Sequence, residues 1–358
     1  MNRRKKIVAA LLVAMAVLIS TVVTACGAGP SGSGASGGTP EKIGFSFSDL
    51  SLERWPHDRD AFLQRTKELG NYQVLVQSAN GSSATQVSQC ENLIAQGVKV
   101  LVILAQDSNA LTSVVQDAHK NGVKVIAYDR LINNAPVDFY VSFDNVQVGE
   151  LQAKYITKLV PGGNFFLLEG SPTDNNAKMF EQGQKKVLDP LVKAGKIKIV
   201  GEQWANNWST TAALNIMQNA LAANNNNIQA VVDANDSTAL GAIQALKAQN
   251  LAGKVPISGQ DADLANCQLI VEGVQSMTVY KPLKEEAYKA ADVAVDFLKG
   301  KTPQSNGTIN NGMVNVPSYL LQPIAVDKNN MMDTVVKDGF HTEAQVYANI
   351  PQSQWPKQ

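Results

Sequence analysis

In the stretch Lys124 to Asn133, KVIAYDRLIN, an apolar run suited to a buried strand ends in an acid and a base, Asp129 and Arg130. The arrangement recurs along the chain. Asn235 and Asp236 close the run IQAVVDAND, Asp261 and Asp263 follow VPISGQ, Lys281 follows SMTVY, and Trp204 and Trp208 come after KIVGEQ. Acid–base catalysis by carboxylate pairs would use the Asp residues. No GxSxG elbow accompanies them, however, no His stands by pattern beside a nucleophile, and LAGKV (251–255) lacks the upstream Gly and following Ser or Thr of a phosphate loop. The chain is therefore not expected to be an enzyme.

A metal fits no better. Asp233, Asn235 and Asp236 supply oxygen atoms, but no twelve-residue calcium loop follows, and His57, His119 and His341 are too scattered for ligand spacing. Asp236 or Ser237 directly precedes the helical STALGAIQAL and is expected to cap it. Neither a metal nor a cofactor is expected. An uncharged polyhydroxy ligand suits the mixture better, because each hydroxyl both donates and accepts. Asp129, Asn235 and Asp261 would accept, Arg130 and Lys281 would donate, and the indole of Trp208 would offer a flat apolar face.

These residues need a scaffold that gathers strand ends. From Lys42 onward, apolar β-branched runs (KIGFSFS, YQVLVQSA, VKVLVILA, KVIAYD, FYVSFD) alternate with helical stretches that close near Gly70, Gly97 and Gly122. A second series follows Phe143-Asp144-Asn145, with strands at GNFFLLEG, KIKIVGEQW, IQAVVDAN, VPISGQD and SMTVY. Strands so continuously apolar need cover on both faces, which predicts two α/β lobes, each a doubly wound parallel sheet between helix layers. Ligands of such sheets bind beyond the carboxyl ends of the strands, where the polar residues lie.

The chain ends and composition restrict the role further. Equal numbers of acids and bases, 31 each in 358 residues, and no long basic run after the N-terminus argue against nucleic acid. MNRRKK followed by a long apolar stretch reads as an export signal over residues 1–25. Its end, VTACG, resembles a bacterial lipoprotein signal that leaves Cys26 as the lipid-modified first residue; an uncleaved anchor is the alternative the length allows. Acyl chains contribute about 0.8 kcal/mol per buried methylene, so more than one holds a protein at a membrane without a spanning helix. The Gly- and Ser-rich segment to Glu41 would be a flexible tether. Cys90 and Cys267, far apart in helical patterns, are expected as buried free thiols.

The segments LERW, QSANG, YDRLIN, FYVSFDN, VGELQAKY, GSPTDNNAK, ISGQDADLA, MTVYKP and VVKDGFH resemble the D-xylose-binding proteins of bacterial ABC sugar transporters, in the same order and nearly the same spacing. The likeness runs from Lys42 to about Glu343. It implies a type I periplasmic-binding-protein fold of the ribose/galactose-binding-like group, with three segments crossing between the lobes near Ser142–Asn145, Met277–Lys281 and Ser318–Pro323. The implied lobes are 42–144 with 280–319 and 145–279 with 320–345, leaving 346–358 as a tail. Carried over by motif, the sugar contacts are Arg54 and its neighbour Trp55 in LERW, Asp129 and Arg130, Asn176 and its neighbour Asn175, Trp208 with Trp204 as the other candidate, Asn235, Asp261 and Lys281. The resemblance implies a monomeric receptor that presents a monosaccharide, D-xylose foremost, to a permease and ATPase on other chains. The tether suits a Gram-positive setting, with the receptor held by lipid on the outer face of the cell membrane. A sugar-sensing receptor of the same fold, or a binder of ribose, glucose or arabinose, is the alternative.

Overall fold

Val100–Ile103 and Ala230–Asp233 are buried at every position, so helices must cover both sides of the sheets these strands enter. The computed structural model describes residues 39–356. The expected signal segment, Cys26 and most of the tether lie outside the described residues; Glu41, placed at the tether's end, instead opens the first strand.

The first lobe runs β1 (Glu41–Phe47), α1 (Arg54–Leu69), β2 (Tyr72–Ser78), α2 (Ser83–Ala95), β3 (Val100–Ile103), α3 (Thr112–Lys120), β4 (Lys124–Tyr128) and β5 (Phe139–Phe143). The chain then crosses to the second lobe: α4 (Asn145–Leu159), β6 (Gly163–Glu169), α5 (Asn175–Lys193), β7 (Ile197–Trp204), α6 (Thr210–Ala223), β8 (Ala230–Asp233), α7 (Asp236–Ala248), α8 (Leu264–Val271) and β9 (Thr278–Tyr280). It returns as α9 (Leu283–Leu298), β10 (Gly307–Asn310) and β11 (Asn315–Leu321), and crosses a third time into β12 (Ile324–Val326) and α10 (Glu343–Val346). The chain passes between the two sets of strands after β5, after β9 and after β11.

Seven strands form the first sheet in the order β10-β11-β5-β4-β3-β1-β2, all parallel except the β10–β11 hairpin. Two apolar clusters cover it. Phe45, Phe47, Phe62 and Tyr128 pack with α1 and α9 on one face, while Leu93, Leu101, Val115 and Val125 pack with α2 and α3 on the other. The second sheet holds β7-β6-β8 in parallel, and β9 pairs with β12 beside it. The VPISGQD segment, expected as a full strand between them, makes only the single bridges Val231–Ile257 and Gln260–Val279. Pro256 has no N–H to give, and the bond from Ser258 N to Val231 O stretches to 3.4 Å.

Both expected thiols are free and buried, and burial pushes that of Cys90 up to about 12. The segment from Val346, expected as a tail, is instead part of the second lobe. Val346 and Tyr347 are buried against Cys267, Tyr280, Met331 and Val335, and Trp355 packs over them. Tyr347 and Trp355 bring apolar surface that a lobe ending at residue 345 would lack.

Helix pairs in the second lobe approach closely because glycines line their contacts. A Cβ on Gly149 of α4 would fall on the carbonyl oxygen of Phe180, and one on Gly183 of α5 on that of Val146. The pairing fixes α5, whose N-terminus reaches the cleft. Gly183→Ala is expected to destabilise the chain by about 1–3 kcal/mol through overpacking. Denaturant unfolding measures this, and an unchanged midpoint would show that the helices separate without cost.

Candidate functional site

Carboxyl ends of parallel strands and N-termini of the following helices point into one cleft between the lobes. Asp174 caps α5 by accepting from Asn176 N at 2.8 Å, and Asn235 caps α7 by accepting from Thr238 N at 2.9 Å. Asn235 thus takes the capping role expected of Asp236 or Ser237. Asp236 is already the first residue of α7, and its carboxylate turns inward to Gln275, Thr278 and the Asp263 N–H. A cap must precede the first helical residue with an extended backbone, which Asn235 has.

About 260 Å³ of space free of atoms lies among Leu52, Arg54, Trp55, Asp129, Arg130, Asp174, Asn176, Phe180, Trp208, Asn235, Gln260, Asp261 and Lys281. Nine of the ten residues expected as ligand contacts line it; Asn175 does not. Asn175 sits at the cleft edge, its N–H donating to Ser108 Oγ at 3.1 Å and its side-chain oxygen 3.4 Å from Asn133 Nδ2. Trp208 lines the cleft, whereas Trp204 is half-buried beside it in an apolar cluster with Phe180.

Arg54 is the electrostatic centre. Its guanidinium lies 2.8 Å from Glu286, 3.1 Å from Asp129, 3.2 Å from Asp58 and 3.5 Å from Asp261. Five acids (these four and Asp174) meet three cations (Arg54, Arg130 and Lys281), all nearly excluded from water. Burial and mutual repulsion bear on the acids unequally. Burial pushes Glu286, Asp58 and Asp174 above the usual carboxylate range, and the Asp129 charge adds to this in each case. Burial acts on Asp129 in the same direction, but Arg54, then Lys281 and Arg130, more than offset it and hold its carboxyl below the usual range. The cleft therefore keeps a charged acceptor at Asp129.

The cations are fixed in turn. Arg130 Nε is 2.7 Å from Asp174 Oδ2, and its Nη1 donates to Ala105 O at 3.1 Å. Arg54 stacks at 4.3 Å, and Arg130 at 5.4 Å, from the centre of the Trp55 ring, which thereby orients both guanidiniums. Trp208 Nε1 donates to Asp174 at 3.1 Å, and its ring presses on Gly170 where any Cβ would collide with it. Positive φ values at Asp129 (55°), Trp208 (56°) and Asp261 (104°) turn these residues into the cleft. For Trp208 this is an uncommon conformation, of the kind that collects at ligand clamps.

Three buried polar atoms of cleft-lining residues lack an aligned hydrogen-bond partner among the described residues: the donors Trp55 Nε1 and Arg130 Nε, the latter ion-paired with Asp174, and the acceptor Asp129 Oδ2. Asp129 Oδ2 has Arg54 at 3.1 Å, not aligned to donate, and Lys281 at 3.6 Å, beyond hydrogen-bond reach. A hydroxylated ligand can answer both kinds of atom at once. Asp58, Asp174 and Glu286 were not anticipated. Asp174 carried a legible signal as the cap of NNAKMF, and Asp58 stands on α1 at the i,i+4 spacing that sets it beside Arg54, while Glu286 comes to Arg54 only through the packing of α1 on α9.

Residues 43–302 match the family model described as a periplasmic binding protein domain. The chain belongs to the periplasmic binding protein family. Its fellow members are non-enzymatic solute receptors, and it is similar to sugar-binding proteins of ABC transporters. The chain is 58% identical over 306 residues to a D-xylose-binding periplasmic protein of Haemophilus influenzae, covering 86% of this chain and 92% of that one. A protein of the same name in Escherichia coli is 57% identical, with 85% and 92% covered. Among solved structures, an ABC transporter solute binding protein from Clostridium phytofermentans with bound β-D-glucose superposes with a TM-score of 0.79 at 34% identity, over 86% of this chain and all of that one. Members of this family are exported, and no described helix is long and apolar enough to cross a membrane.

Asp129→Ala leaves Arg54 and Lys281 buried without their shared partner, and is expected to weaken ligand binding by about 2–5 kcal/mol. Titration calorimetry checks this; affinity within twofold of the unchanged chain would remove Asp129 from the site. Gly170→Ala is expected to displace the Trp208 ring, seen as altered tryptophan emission together with weaker binding. Unchanged emission would show that the ring does not depend on that contact.

Proposed function

We propose that this periplasmic binding protein is the receptor of an ABC importer for an aldopentose, D-xylose foremost. The observation that carries this reading is the 57–58% identity, over 85–86% of the chain, to proteins named for D-xylose binding. The cleft supports it. Its charged acceptors and donors, converging from both lobes, suit neutral hydroxyls. On this reading Arg54, Trp55, Asp129, Arg130, Asn176, Asn235, Asp261 and Lys281 bond the sugar hydroxyls, Trp208 covers a ring face, and Asn175 steadies the cleft edge.

The two lobes, 42–144 with 280–319 and 145–279 with 320 onward, would open about the three crossings and close on the sugar. With the cleft open, Asp129 and Arg130 are hydrated; when it shuts, the sugar and the facing lobe replace that water. Ligand binding then favours the closed state, a hinge mechanism of the kind the family is known for. The closed form would be offered by a monomer to a permease served by a separate ATPase. We further propose that Cys26 carries lipid after signal cleavage and that the Gly/Ser tether leaves the lobes free to turn at the outer face of the cell membrane, an arrangement suited to a Gram-positive cell. The VTACG motif and the composition of residues 27–38 support this.

Relatives named as multiple sugar-binding proteins, 35–36% identical, make the range of sugars the matter to test. Calorimetric titration with D-xylose, D-glucose, D-ribose and L-arabinose is expected to show one site, with D-xylose bound most tightly. Preference for D-glucose, or no binding of any pentose, would refute the assignment. Metabolic labelling with a radioactive fatty acid, lost in Cys26→Ala, tests the anchor.

A further inference from the structure

The lobes also meet away from the cleft wall, at the start of α8. Asp263, the residue before that helix, gives it no side-chain cap. The Leu264 N–H donates instead to Oε2 of Glu53, at 3.0 Å. Glu53 stands just ahead of α1 in the first lobe and Leu264 opens α8 in the second, so the bond runs from lobe to lobe. A carboxylate at a helix N-terminus satisfies an otherwise orphaned N–H and meets the positive end of the helix dipole. Neighbouring groups cross at the same place. The His57 ring meets the edge of Phe340 at 5.4 Å, and His341 Nε2, 2.9 Å from Ala262 O, lies 3.9 Å from Glu53 Oε1. Glu53 does not line the cleft, and its side chain is 36% exposed. It therefore neither touches the ligand space nor holds a core together.

We propose that Glu53 is a closure latch, a positioning residue that caps α8 across the lobe boundary only when the cleft is shut and thereby slows ligand release. The proposal rests on the sugar-receptor reading for its ligand, but its geometry does not depend on which sugar fills the cleft. A contact made only in the closed state shifts the open–closed balance, and apparent affinity follows the fraction that is closed. The encounter of ligand with the open cleft is untouched, so the effect falls on dissociation.

Position 264 allows a test from the other side. Leu264 is the first helical residue, where proline is well tolerated, and Asp263 already has the extended backbone (φ −55°, ψ 141°) that a following proline requires. Leu264→Pro therefore removes the donor and keeps the helix start. Stopped-flow kinetics with D-xylose on the full chain are expected to show about tenfold faster dissociation in Glu53→Ala, the scale of a partly exposed charge-assisted hydrogen bond. Association should be unchanged, as should the melting temperature of the sugar-free Glu53→Ala protein. Glu53→Gln, which keeps an acceptor oxygen, should recover part of the loss. Adding Glu53→Ala to Leu264→Pro should speed release no further, the non-additivity expected of two ends of one bond.

An unchanged dissociation rate in Glu53→Ala, or full additivity with Leu264→Pro, would overturn the latch. If the unchanged chain binds no pentose, the sugar reading fails on its own. The latch is then decided with whichever sugar of the panel the chain does bind, D-glucose included: in the ligand-saturated protein, faster hydrogen exchange of the 262–268 segment in Glu53→Ala supports it, and equal exchange overturns it.

Discussion

One guanidinium organises this cleft. Arg54 gathers Asp58 and Glu286 from within its own lobe, Asp129 from the end of β4, and Asp261 from the opposite lobe. Acids around a single buried cation repel one another unless some are protonated or shared with further cations. Here further cations share the acids, and burial raises the proton affinity of three of them. Glu286, Asp58 and Asp174 are pushed toward their neutral forms, while Lys281 and Arg130 join Arg54 in keeping Asp129 ionised. The outcome is a wall with one firmly charged acceptor among fixed donors, assembled from both lobes.

The fold makes that wall available. Parallel strands end where helices begin, so Asp129 ends one strand while Asp174 and Asn235 cap two helices, all facing a common space. Close packing then sets positions to fractions of an ångström. Gly149 and Gly183 lock α4 onto α5, which carries Asn176 to hydrogen-bonding distance of Asp129, at 2.8 Å. Gly170 leaves just the room that the Trp208 ring fills. Specificity for a small neutral ligand depends on such placement, since a misplaced hydroxyl leaves a buried polar partner unanswered.

Much of this was legible from residue pattern alone. Alternating apolar runs and helical stretches indicated two parallel α/β lobes, and acids and bases at strand ends marked the cleft, because strands deliver side chains to predictable edges. What escaped depends on contacts remote in sequence. Glu286 approaches Arg54 from 232 positions away, and no local pattern marks it. Asn175 differs from Asn176 by one residue, yet helical rotation sends one to the cleft edge and the other into the cleft. Val346 and Tyr347 read as a polar-flanked tail, but the cluster around Cys267 and Tyr280 that they cover exists only once the lobe has folded. Pro256 was visible, and its missing N–H was reason to expect a broken strand there.

On this mechanism, charges spanning the two lobes are brought together by ligand, so that closure and binding are one event. Small-angle X-ray scattering of the chain with and without saturating D-xylose tests it most directly. The radius of gyration is expected to be larger without sugar and to contract on adding it, to a profile matching the closed cleft. A profile equally compact in both conditions would contradict it, and would mean that the Arg54 network holds the lobes shut unaided.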